Sequence, residues 1–398
     1  MPTPASTPDT DKYDLFAVCL PGLEPWLAEE LQALGVGDPE TLQGGVGFRG
    51  DLTTLYRTNL ETGLAAHVLI RVSEFGARSL ADLDHRGSRI DWKDWLTPGT
   101  PIVVKANCRR SRIYHSGAAA QRIERHIREH LGAATESPDA TQPIIIRVRI
   151  QDNRCTISLD SSGEPLHRRG WRLNPGQAPL REDLAHALVR VSGWDGRSTL
   201  VDPMMGSGTV LIEAAGMARQ LAPGRNRRFA IEQLALHDKD LLDNTKRRAD
   251  ERALPNLHCQ ILGSDRNAKA VASATENAER AGVLPDLELR KATLTETFES
   301  LPDRYNQGTV VTNPPYGKRL DDASALASLY RALGDAARRL PAGWRLAFAA
   351  ADRRLARRTK LELETAFLAD SGGLKIHAMR TSAAGRSTPG TEPPSSAP

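Results

Sequence analysis

Apolar residues in the first 165 positions alternate between the spacing typical of strands and the spacing typical of helices. Strands are predicted at 13–20, 46–48, 66–72, 101–106, 144–150 and 155–159. Helices are predicted at 23–34, 52–59 and 116–131. This order of elements predicts a small α+β unit over residues 12–65 and a second one over residues 66–165.

Beyond a short polar segment at 166–177, the pattern becomes a regular alternation of strand and helix. Strands are predicted at 199–202, 260–264, 308–312 and 344–350, and helices at 179–191, 209–221, 267–281 and 323–340. Such alternation is typical of a mainly parallel sheet covered by helices on both faces. We therefore predict an α/β domain over residues 178–381, with residues 166–177 as the linker that precedes it.

Composition narrows the class of protein. With 398 residues, of which 40% are apolar, the chain is long enough for two or three packed domains. No stretch approaches the roughly 18 apolar residues of a membrane span, and the start lacks the features of a signal peptide. Residues 1–11 and 382–398 are predicted to be disordered because both are rich in proline and small polar residues.

The cysteines argue against a metal site. Cys19, Cys108, Cys155 and Cys259 are far apart and lack the paired spacing of zinc ligands. They are typical of reduced thiols, so we expect a cytoplasmic protein without a bound metal.

Basic residues are clustered, although the net charge is only +4. Between residues 105 and 130, seven Lys and Arg residues stand against Glu124 and Glu129 alone. A solvated helix face explains such a run. Phosphate binding is a competing explanation, because Tyr114 and His115 are interleaved with the cations.

Residues 200–209, with the sequence LVDPMMGSGT, combine a strand end, a tight glycine turn and a helix start. Gly206 and Gly208 allow the backbone to pass close to a ligand at the helix N-terminus. The segment is not a P-loop, because no Gly-Lys-Ser/Thr follows, and it is not a dinucleotide fingerprint, because Leu211 occupies the third glycine position. Asp202 suits a ligand with a positive amino group, such as a sulfonium amino-acid nucleoside. The alternative is a glycine turn that only joins strand to helix.

Residues 313–317, NPPYG, follow a predicted strand and point to methylation of a nitrogen. An exocyclic or amide nitrogen is a poor nucleophile because its lone pair is delocalised. The Asn313 side-chain oxygen and a neighbouring carbonyl can accept both N–H groups and turn the lone pair toward an electrophile. Pro314 and Pro315 stiffen the loop, and Tyr316 can stack on a planar base. The alternative is a Pro-Pro turn that closes the strand.

An acidic residue, Asp265, ends the strand predicted at 260–264. In nucleoside-binding α/β folds such a residue bonds the ribose hydroxyls. The separation from Gly208 exceeds the usual spacing, and residues 223–258 supply the insertion. Alone, Asp265 is equally well explained as a helix N-cap. Its position after Asp202 and before Asn313 favours a ribose contact.

Together these motifs resemble the class I S-adenosylmethionine-dependent methyltransferases that modify amino groups. The upstream half narrows the resemblance to the THUMP-domain RNA methyltransferases. It does so through residues 43–48 (QGGVGF), 158–163 (SLDSSG), 166–172 (LHRRGWR) and 178–182 (APLRE). The chain is most similar to the RlmL-type enzymes, which make N2-methylguanosine in 23S ribosomal RNA. The resemblance spans about residues 12–380.

The resemblance implies a ferredoxin-like module at 12–65, a THUMP RNA-binding domain at 66–165 and a Rossmann-like methyltransferase domain at 178–381. It also implies S-adenosylmethionine as cofactor, 23S ribosomal RNA or a large-subunit precursor as partner, and a monomer. Where relatives often carry an aspartate that contacts the adenine, this chain has Ala292 and Thr293.

Particular residues are then assigned to each role. The cofactor-binding residues expected are Pro179, Arg181, Asp202, Met204, Gly206, Ser207, Gly208, Thr209, Asp265, Arg266, Thr293 and Asn313. The RNA-binding residues expected are Lys105, Arg109, Arg110, Arg112, Arg122, Arg168, Arg169, Arg225, Arg227 and Arg228.

The predicted reaction is direct methyl transfer to N2 of a guanine, with Asn313, Pro314, Pro315 and Tyr316 at the catalytic position. The same tetrapeptide also serves adenine-N6 and cytosine-N4 DNA methyltransferases and enzymes that methylate a protein glutamine. The basic first half argues against the protein substrate. A tRNA guanine-N2 methyltransferase and a non-catalytic RNA-binding ribosome assembly factor remain as alternatives.

Overall fold

The computed structural model describes residues 12–132, 142–172, 180–301, 305–315 and 323–382. The chain divides into two compact units. The first comprises Met1–Arg169 with Ala222–Arg252, and the second comprises Gly170–Leu221 with Ala253–Pro398. The ends that we predict to be disordered lie outside the described residues, except for Ser382.

The first unit is built on one seven-stranded sheet with the order β2-β3-β1-β4-β7-β6-β5. Its strands are β1 (Tyr13–Val18), β2 (Glu40–Leu42), β3 (Gly45–Gly50), β4 (His67–Gly76), β5 (Ile102–Arg109), β6 (Ile144–Gln151) and β7 (Arg154–Asp160). Its helices are α1 (Glu24–Ala33), α2 (Leu52–Glu61), α3 (Leu80–Gly87), α4 (Ser116–Leu131) and α7 (Lys239–Arg252). Strand β4 pairs with both β1 and β7, so the two predicted modules share a single sheet.

The segment Ala222–Arg252 belongs to the first unit although the sequence analysis placed it within the second domain. Hydrogen bonds explain the difference. The Gly224 N–H donates to the Leu60 carbonyl at 2.8 Å, and the Ile231 N–H donates to the Ser161 carbonyl at 2.9 Å. The Asp238 N–H donates to the Tyr56 hydroxyl at 2.8 Å.

Arg227 is the main polar anchor of this segment. Its guanidinium donates to the carbonyls of Pro165 at 2.8 Å and Arg168 at 3.2 Å, and also to those of Ser162 and Glu164. Burial, followed by the nearby charge of Arg169, lowers the pKa of Arg227 to about 10. The anchor is therefore a cation held by backbone carbonyls.

The second unit contains a mainly parallel sheet, as predicted, with the order β10-β9-β8-β11-β12-β14-β13. Its strands are β8 (Thr199–Asp202), β9 (Ile261–Asp265), β10 (Leu287–Lys291), β11 (Gln307–Thr312), β12 (Gly343–Ala350), β13 (Leu363–Ser371) and β14 (Leu374–Thr381). Strands β8 to β12 pair in parallel, whereas β13 and β14 are antiparallel. Its helices are α5 (Glu182–Val191), α6 (Thr209–Ala218), α8 (Ala268–Ala281), α9 (Leu294–Glu299), α10 (Ala323–Arg339) and α11 (Arg353–Arg357).

The core of the second unit lies on its central strand, β11. Val310 and Val311 are both fully buried. Because consecutive strand residues point to opposite faces, both faces of the sheet are covered at this point. Tyr330 and Leu333 of α10 pack in the same apolar cluster as Val310. Among the described residues, no helix combines the length and apolar character needed to cross a bilayer.

Replacing Arg227 tests the anchoring of the segment Ala222–Arg252. Arg227→Met keeps an apolar stem but removes the donors for several carbonyls, so we expect the free energy of unfolding to fall by about 3 kcal/mol. Denaturant titration followed by circular dichroism measures this change. Arg228→Met is the matched control, because Arg228 is exposed, and it should leave the stability unchanged. Equal stability of the two variants would contradict the role of Arg227.

Candidate active site

Three polar residues follow neighbouring strands of the parallel sheet. Asp202 ends β8, Asp265 ends β9, and Asn313 directly follows β11. Strand β8 lies between β9 and β11. Since carboxyl ends of parallel strands meet at one edge, these residues share the edge where open α/β sheets bind their ligands. The structure thus brings the three together, as the sequence analysis expects.

The glycine loop after β8 has a backbone that only glycine adopts readily. Gly206 and Gly208 have φ values of +53° and +81°. A Cβ atom at Gly208 would lie 3.0 Å from the Cβ of Ala274, whereas a Cβ at Gly206 would meet nothing within 4 Å. Gly208 is therefore needed for packing, and Gly206 borders open space that a ligand can fill.

Asp265 holds the glycine loop from the neighbouring strand. Its Oδ2 accepts from the Gly206 N–H at 3.1 Å, and its Oδ1 accepts from the Asn267 N–H at 2.9 Å. The cap that starts α8 is Asn267 itself, whose side chain accepts from the Lys269 N–H at 3.0 Å. Each carboxylate oxygen has a further lone pair, so Asp265 can still accept from a ligand hydroxyl.

Asp202 lies beneath the loop and is only 1% exposed. Its Oδ1 accepts from the Thr312 hydroxyl at 2.6 Å and from the Met204 N–H at 3.1 Å. Burial raises the pKa of Asp202 to about 7, although both hydrogen bonds lower it. The Asp202 carboxyl can therefore change its protonation state near neutral pH.

Asn313 presents a buried acceptor. Its Oδ1 is inaccessible to solvent and has no hydrogen-bond partner among the described residues. The next residue, Pro314, is buried, whereas Pro315 is exposed. Buried polar atoms are nearly always paired, so an unpaired acceptor at this strand end marks a place for a donor from a ligand. Tyr316 lies outside the described residues.

Two further contacts position the glycine loop, and the sequence analysis did not identify them. Arg172 donates to the Thr209 hydroxyl at 2.5 Å and lies 3.5 Å from the Glu182 carboxylate. On the other side, the Asn277 amide donates to the Ser207 carbonyl at 3.0 Å. Arg172 lies in the basic segment 166–172, which was assigned to the linker as a whole, and Asn277 carries no motif.

The remaining predicted cofactor residues have varied surroundings. Arg181 forms a two-pronged ion pair with Asp183, at 3.1 and 2.6 Å. Thr293 caps α9 through a reciprocal pair of hydrogen bonds with Glu296. Met204 packs against the apolar core cluster, and Arg266 is exposed. Pro179 lies outside the described residues.

The predicted RNA-binding residues of β5 and the following loop are mostly at the surface. Lys105, Arg109 and Arg112 are exposed. Arg110 is exposed as well, although it pairs with Asp152 at 2.9 Å. This part of the predicted set is accessible to a polyanion.

Arg122 pairs with Asp84 of α3, while the largely exposed Arg168 lies 3.5 Å from Glu164. Arg225 donates to the Ala222 carbonyl at 3.2 Å, and Arg228 is exposed. Ion pairs within the first unit therefore neutralise part of the positive charge of helix α4.

Backbone carbonyls hold two members of the predicted set, Arg169, which is buried, and Arg227, which is partly buried. Arg169 is 4% exposed and donates to the carbonyls of Leu166 at 2.8 Å and Gly63 at 2.7 Å. Arg227 is held by carbonyls in the same way. Because backbone acceptors occupy both guanidinium groups, we leave these two residues out of the RNA surface proposed below.

The strand order, the glycine loop after β8 and the acidic end of β9 define a class I methyltransferase. Residues 169–375 match the family described as "RMKL-like, methyltransferase domain". Residues 14–69 match the RlmL ferredoxin-like domain, and residues 77–160 match the THUMP domain. The chain therefore belongs to the RMKL-like methyltransferase family, and the expected ferredoxin-like and THUMP regions are confirmed.

Individual relatives agree with this membership. "Ribosomal RNA large subunit methyltransferase K/L" of Syntrophotalea carbinolica is 35% identical over 373 residues, which cover 90% of this chain and 52% of the relative. "Putative RNA methyltransferase slr0064" of Synechocystis sp. is 31% identical over 377 residues, covering 92% of this chain and 97% of the relative. The chain spans about half the length of the K/L relatives, 52% and 46%.

One solved structure extends the comparison. It is titled "Crystal structure of SMU.472, a putative methyltransferase complexed with SAH" and is 27% identical to this chain, with a TM-score of 0.84. The similarity covers 93% of this chain and 98% of that one. Both units of the present chain therefore have a counterpart in a solved protein. Among the described residues, no group of three or more His, Cys, Asp or Glu side chains is arranged to hold a metal ion.

The raised pKa of Asp202 predicts a pH-dependent stability. Between the ordinary aspartate pKa near 3.9 and about 7, the folded protein holds a proton that the unfolded chain does not. The contribution of Asp202 to the free energy of unfolding therefore falls as the pH rises through that window, and it levels off above it. Asp202→Asn removes the effect, so wild type should lose a few kcal/mol relative to this variant between pH 5 and pH 8. Denaturant titrations at several pH values measure the difference.

Asp195→Asn is the control for this experiment. Backbone N–H groups, first that of Ser198, lower the pKa of Asp195 to about 2. The Asp195 contribution is therefore lost only when the pH falls toward that value, and the difference from wild type should be constant between pH 5 and pH 8. Parallel pH profiles for wild type and Asp202→Asn would contradict the raised pKa of Asp202.

Proposed function

We propose that this protein transfers a methyl group from S-adenosylmethionine to the exocyclic N2 of a guanine in 23S ribosomal RNA. It would act as a monomer in the cytoplasm. The name of the K/L relatives supports ribosomal RNA as the substrate class. The observation that carries the reaction type is the buried Oδ1 of Asn313, which has no hydrogen-bond partner among the described residues.

The unpaired oxygen fits an amino group as its missing donor. An amino nitrogen whose two N–H groups donate to the Asn313 Oδ1 and to the Pro314 carbonyl has its lone pair turned out of conjugation. The nitrogen then becomes nucleophilic without losing a proton first. Tyr316 is assigned the stacking of the base, which is worth roughly 1–3 kcal/mol.

The residues at the strand ends fit S-adenosylmethionine. Open space borders Gly206, and Asp265 keeps lone pairs for ribose hydroxyls. Asp202 lies below the loop, so its effect on a positive amino group is electrostatic rather than a surface contact. When bound, the cofactor supplies an electrophilic methyl group on a sulfonium.

Positioning accounts for much of the proposed catalysis. Alignment of two reactants contributes on the order of 7–11 kcal/mol in favourable cases. Thr312 donates to Asp202 at 2.6 Å and is followed at once by Asn313. Adjacent residues at the end of β11 therefore hold the loop that starts at Asn313 next to the glycine loop that starts at Asp202.

RNA contact is assigned to exposed and partly exposed cations of the first unit. The exposed ones are Lys105, Arg109, Arg110 and Arg112, with Arg168 and Arg228 from the later basic segments, and the partly exposed ones are Arg122 and Arg225. Their phosphate contacts would offset the few kcal/mol needed to unstack a paired guanine.

Asn313→Ala tests the reaction type. Loss of the acceptor should lower methyl transfer to unmodified 23S ribosomal RNA at least about 100-fold, because the amino group is no longer oriented. Affinity for S-adenosylmethionine, measured by isothermal titration, should change less than about threefold. Asn306→Ala is the matched control, since Asn306 is exposed at the opposite end of β11. Unchanged transfer by Asn313→Ala would contradict the assignment.

The product distinguishes the rival functions. Nucleoside mass spectrometry of the methylated RNA should show N2-methylguanosine. A methyladenosine or methylcytosine product would contradict the guanine assignment while retaining the role of Asn313. Absence of S-adenosylmethionine binding by the wild type would favour the non-catalytic assembly factor.

A further inference from the structure

The loop between β5 and α4 exposes an aromatic ring that the proposed chemistry does not use. Tyr114 is 75% exposed, and among the described residues it is the one Tyr, Phe or Trp in the exposed class. Its ring lies 4.3 Å from that of His115, centroid to centroid, with 40° between the ring planes. An exposed ring of this size normally finds an apolar or planar partner, because water wets it poorly.

The loop that carries Tyr114 is fixed by the β6–β7 turn. The Asn153 N–H donates to the Ser111 hydroxyl at 3.0 Å, and the Ser111 hydroxyl donates to the Arg109 carbonyl at 2.7 Å. The Arg112 N–H donates to the Asn153 Oδ1 at 2.9 Å. Tyr114 therefore projects from a loop with defined backbone partners.

Backbone strain and burial fix the loop further. Arg110, Asp152 and Asn153 have φ values of 47°, 52° and 62°, a backbone conformation that residues other than glycine rarely adopt. An ion pair at 2.9 Å joins Arg110 to Asp152. Ile113, next to Tyr114, is only 5% exposed. A surface ordered in advance loses little conformational entropy when it binds a partner.

The charge around Tyr114 favours a polyanion. Residues 105–115 contain four Lys and Arg residues and no Asp or Glu. Of these cations, Lys105, Arg109 and Arg112 are exposed without an acidic partner among the described residues, while Arg110 pairs with Asp152. Exposed cations beside an exposed aromatic ring are the combination by which proteins hold unpaired nucleic acid.

We propose that Tyr114 is a stacking platform for one unpaired base of an RNA strand, with Arg109 and Arg112 on the flanking phosphates. A paired base inside a duplex is already stacked on both faces, so this surface selects a single-stranded segment. The inference rests on the proposed function in taking RNA as the partner. To that function it adds that the RNA segment bound by the first unit is unpaired.

Binding of two RNA probes tests the platform. The probes are a fluorescein-labelled 12-nucleotide single strand and the same sequence in a blunt duplex, measured by anisotropy with the full-length protein. Tyr114→Ala should weaken binding of the single strand about 5- to 100-fold, as expected for one lost base stack. Its effect on the duplex should be less than twofold. Tyr114→Phe keeps the ring and should bind as wild type does.

The controls separate stacking from charge and from general surface effects. Arg112→Gln should weaken both probes and reduce the salt dependence for the single strand by about 0.7 in slope, whereas Tyr114→Ala should leave that slope unchanged. Leu374→Ala removes another exposed apolar side chain, 45% exposed, and should not affect RNA binding. An abasic site at the stacked position should make wild type and Tyr114→Ala bind equally.

Failure of this proposal differs from failure of the proposed function. Equal binding of the single strand by wild type and Tyr114→Ala, or an equal loss with both probes, would overturn the stacking role. All of these measurements are made without S-adenosylmethionine, so they do not depend on methyl transfer. A wild-type protein that shows the Tyr114 effect but methylates no RNA would retain this proposal and overturn the other.

Discussion

The hydrogen bond from the Thr312 hydroxyl to the Asp202 carboxylate, at 2.6 Å, joins the two strands on which the candidate site depends. Asp202 ends β8 and starts the glycine loop, while Thr312 ends β11 and is followed by Asn313. A buried carboxyl is stable only when its hydrogen bonds are satisfied. Its need for donors therefore fixes the distance between the loop that suits the methyl donor and the asparagine that suits the acceptor.

The same requirement explains the shape of the glycine loop. The Met204 N–H is the second donor to Asp202, and the Gly206 N–H turns toward Asp265 on the neighbouring strand. Two carboxylates on adjacent strands thus bind the backbone of one short loop. The φ of +53° at Gly206 lies in the left-handed region, which glycine adopts more readily than residues with a side chain. The open space beside Gly206 and the unpaired oxygen of Asn313 are what this framework leaves for ligands.

The motifs at the strand ends were predictable because each requires unusual residues. Glycines, prolines and acidic residues at strand ends carry a local physical reason that sequence alone reveals. Helix α4 was predicted with its observed bounds, Ser116–Leu131, because its apolar residues recur at helical spacing. Helix α7 was missed because its buried residues are few, namely Leu242, Thr245 and Ala249. The β13–β14 hairpin was missed although its buried residues alternate, at Phe367 and Ala369 in β13 and at Ile376 and Ala378 in β14.

Arginines held by backbone carbonyls show a different limit of sequence reasoning. Arg169 and Arg227 lie in basic clusters of the kind that bind nucleic acid, but backbone carbonyls accept hydrogen bonds from both of them. Those of Arg227 belong to residues about 60 positions earlier in the chain. Nothing local distinguishes such an arginine from an exposed one. The RNA surface that we propose is therefore smaller than the basic clusters indicate, because it leaves out these two arginines.

We propose that this site methylates N2 of a guanine in 23S ribosomal RNA. The most direct measurement is mass spectrometry of nucleosides from purified 23S ribosomal RNA and transfer RNA of a strain that lacks the gene. We expect N2-methylguanosine to decrease in 23S ribosomal RNA, to stay unchanged in transfer RNA, and to be restored by the wild-type gene. Loss of N2-methylguanosine from transfer RNA alone, or no change in either RNA, would contradict it.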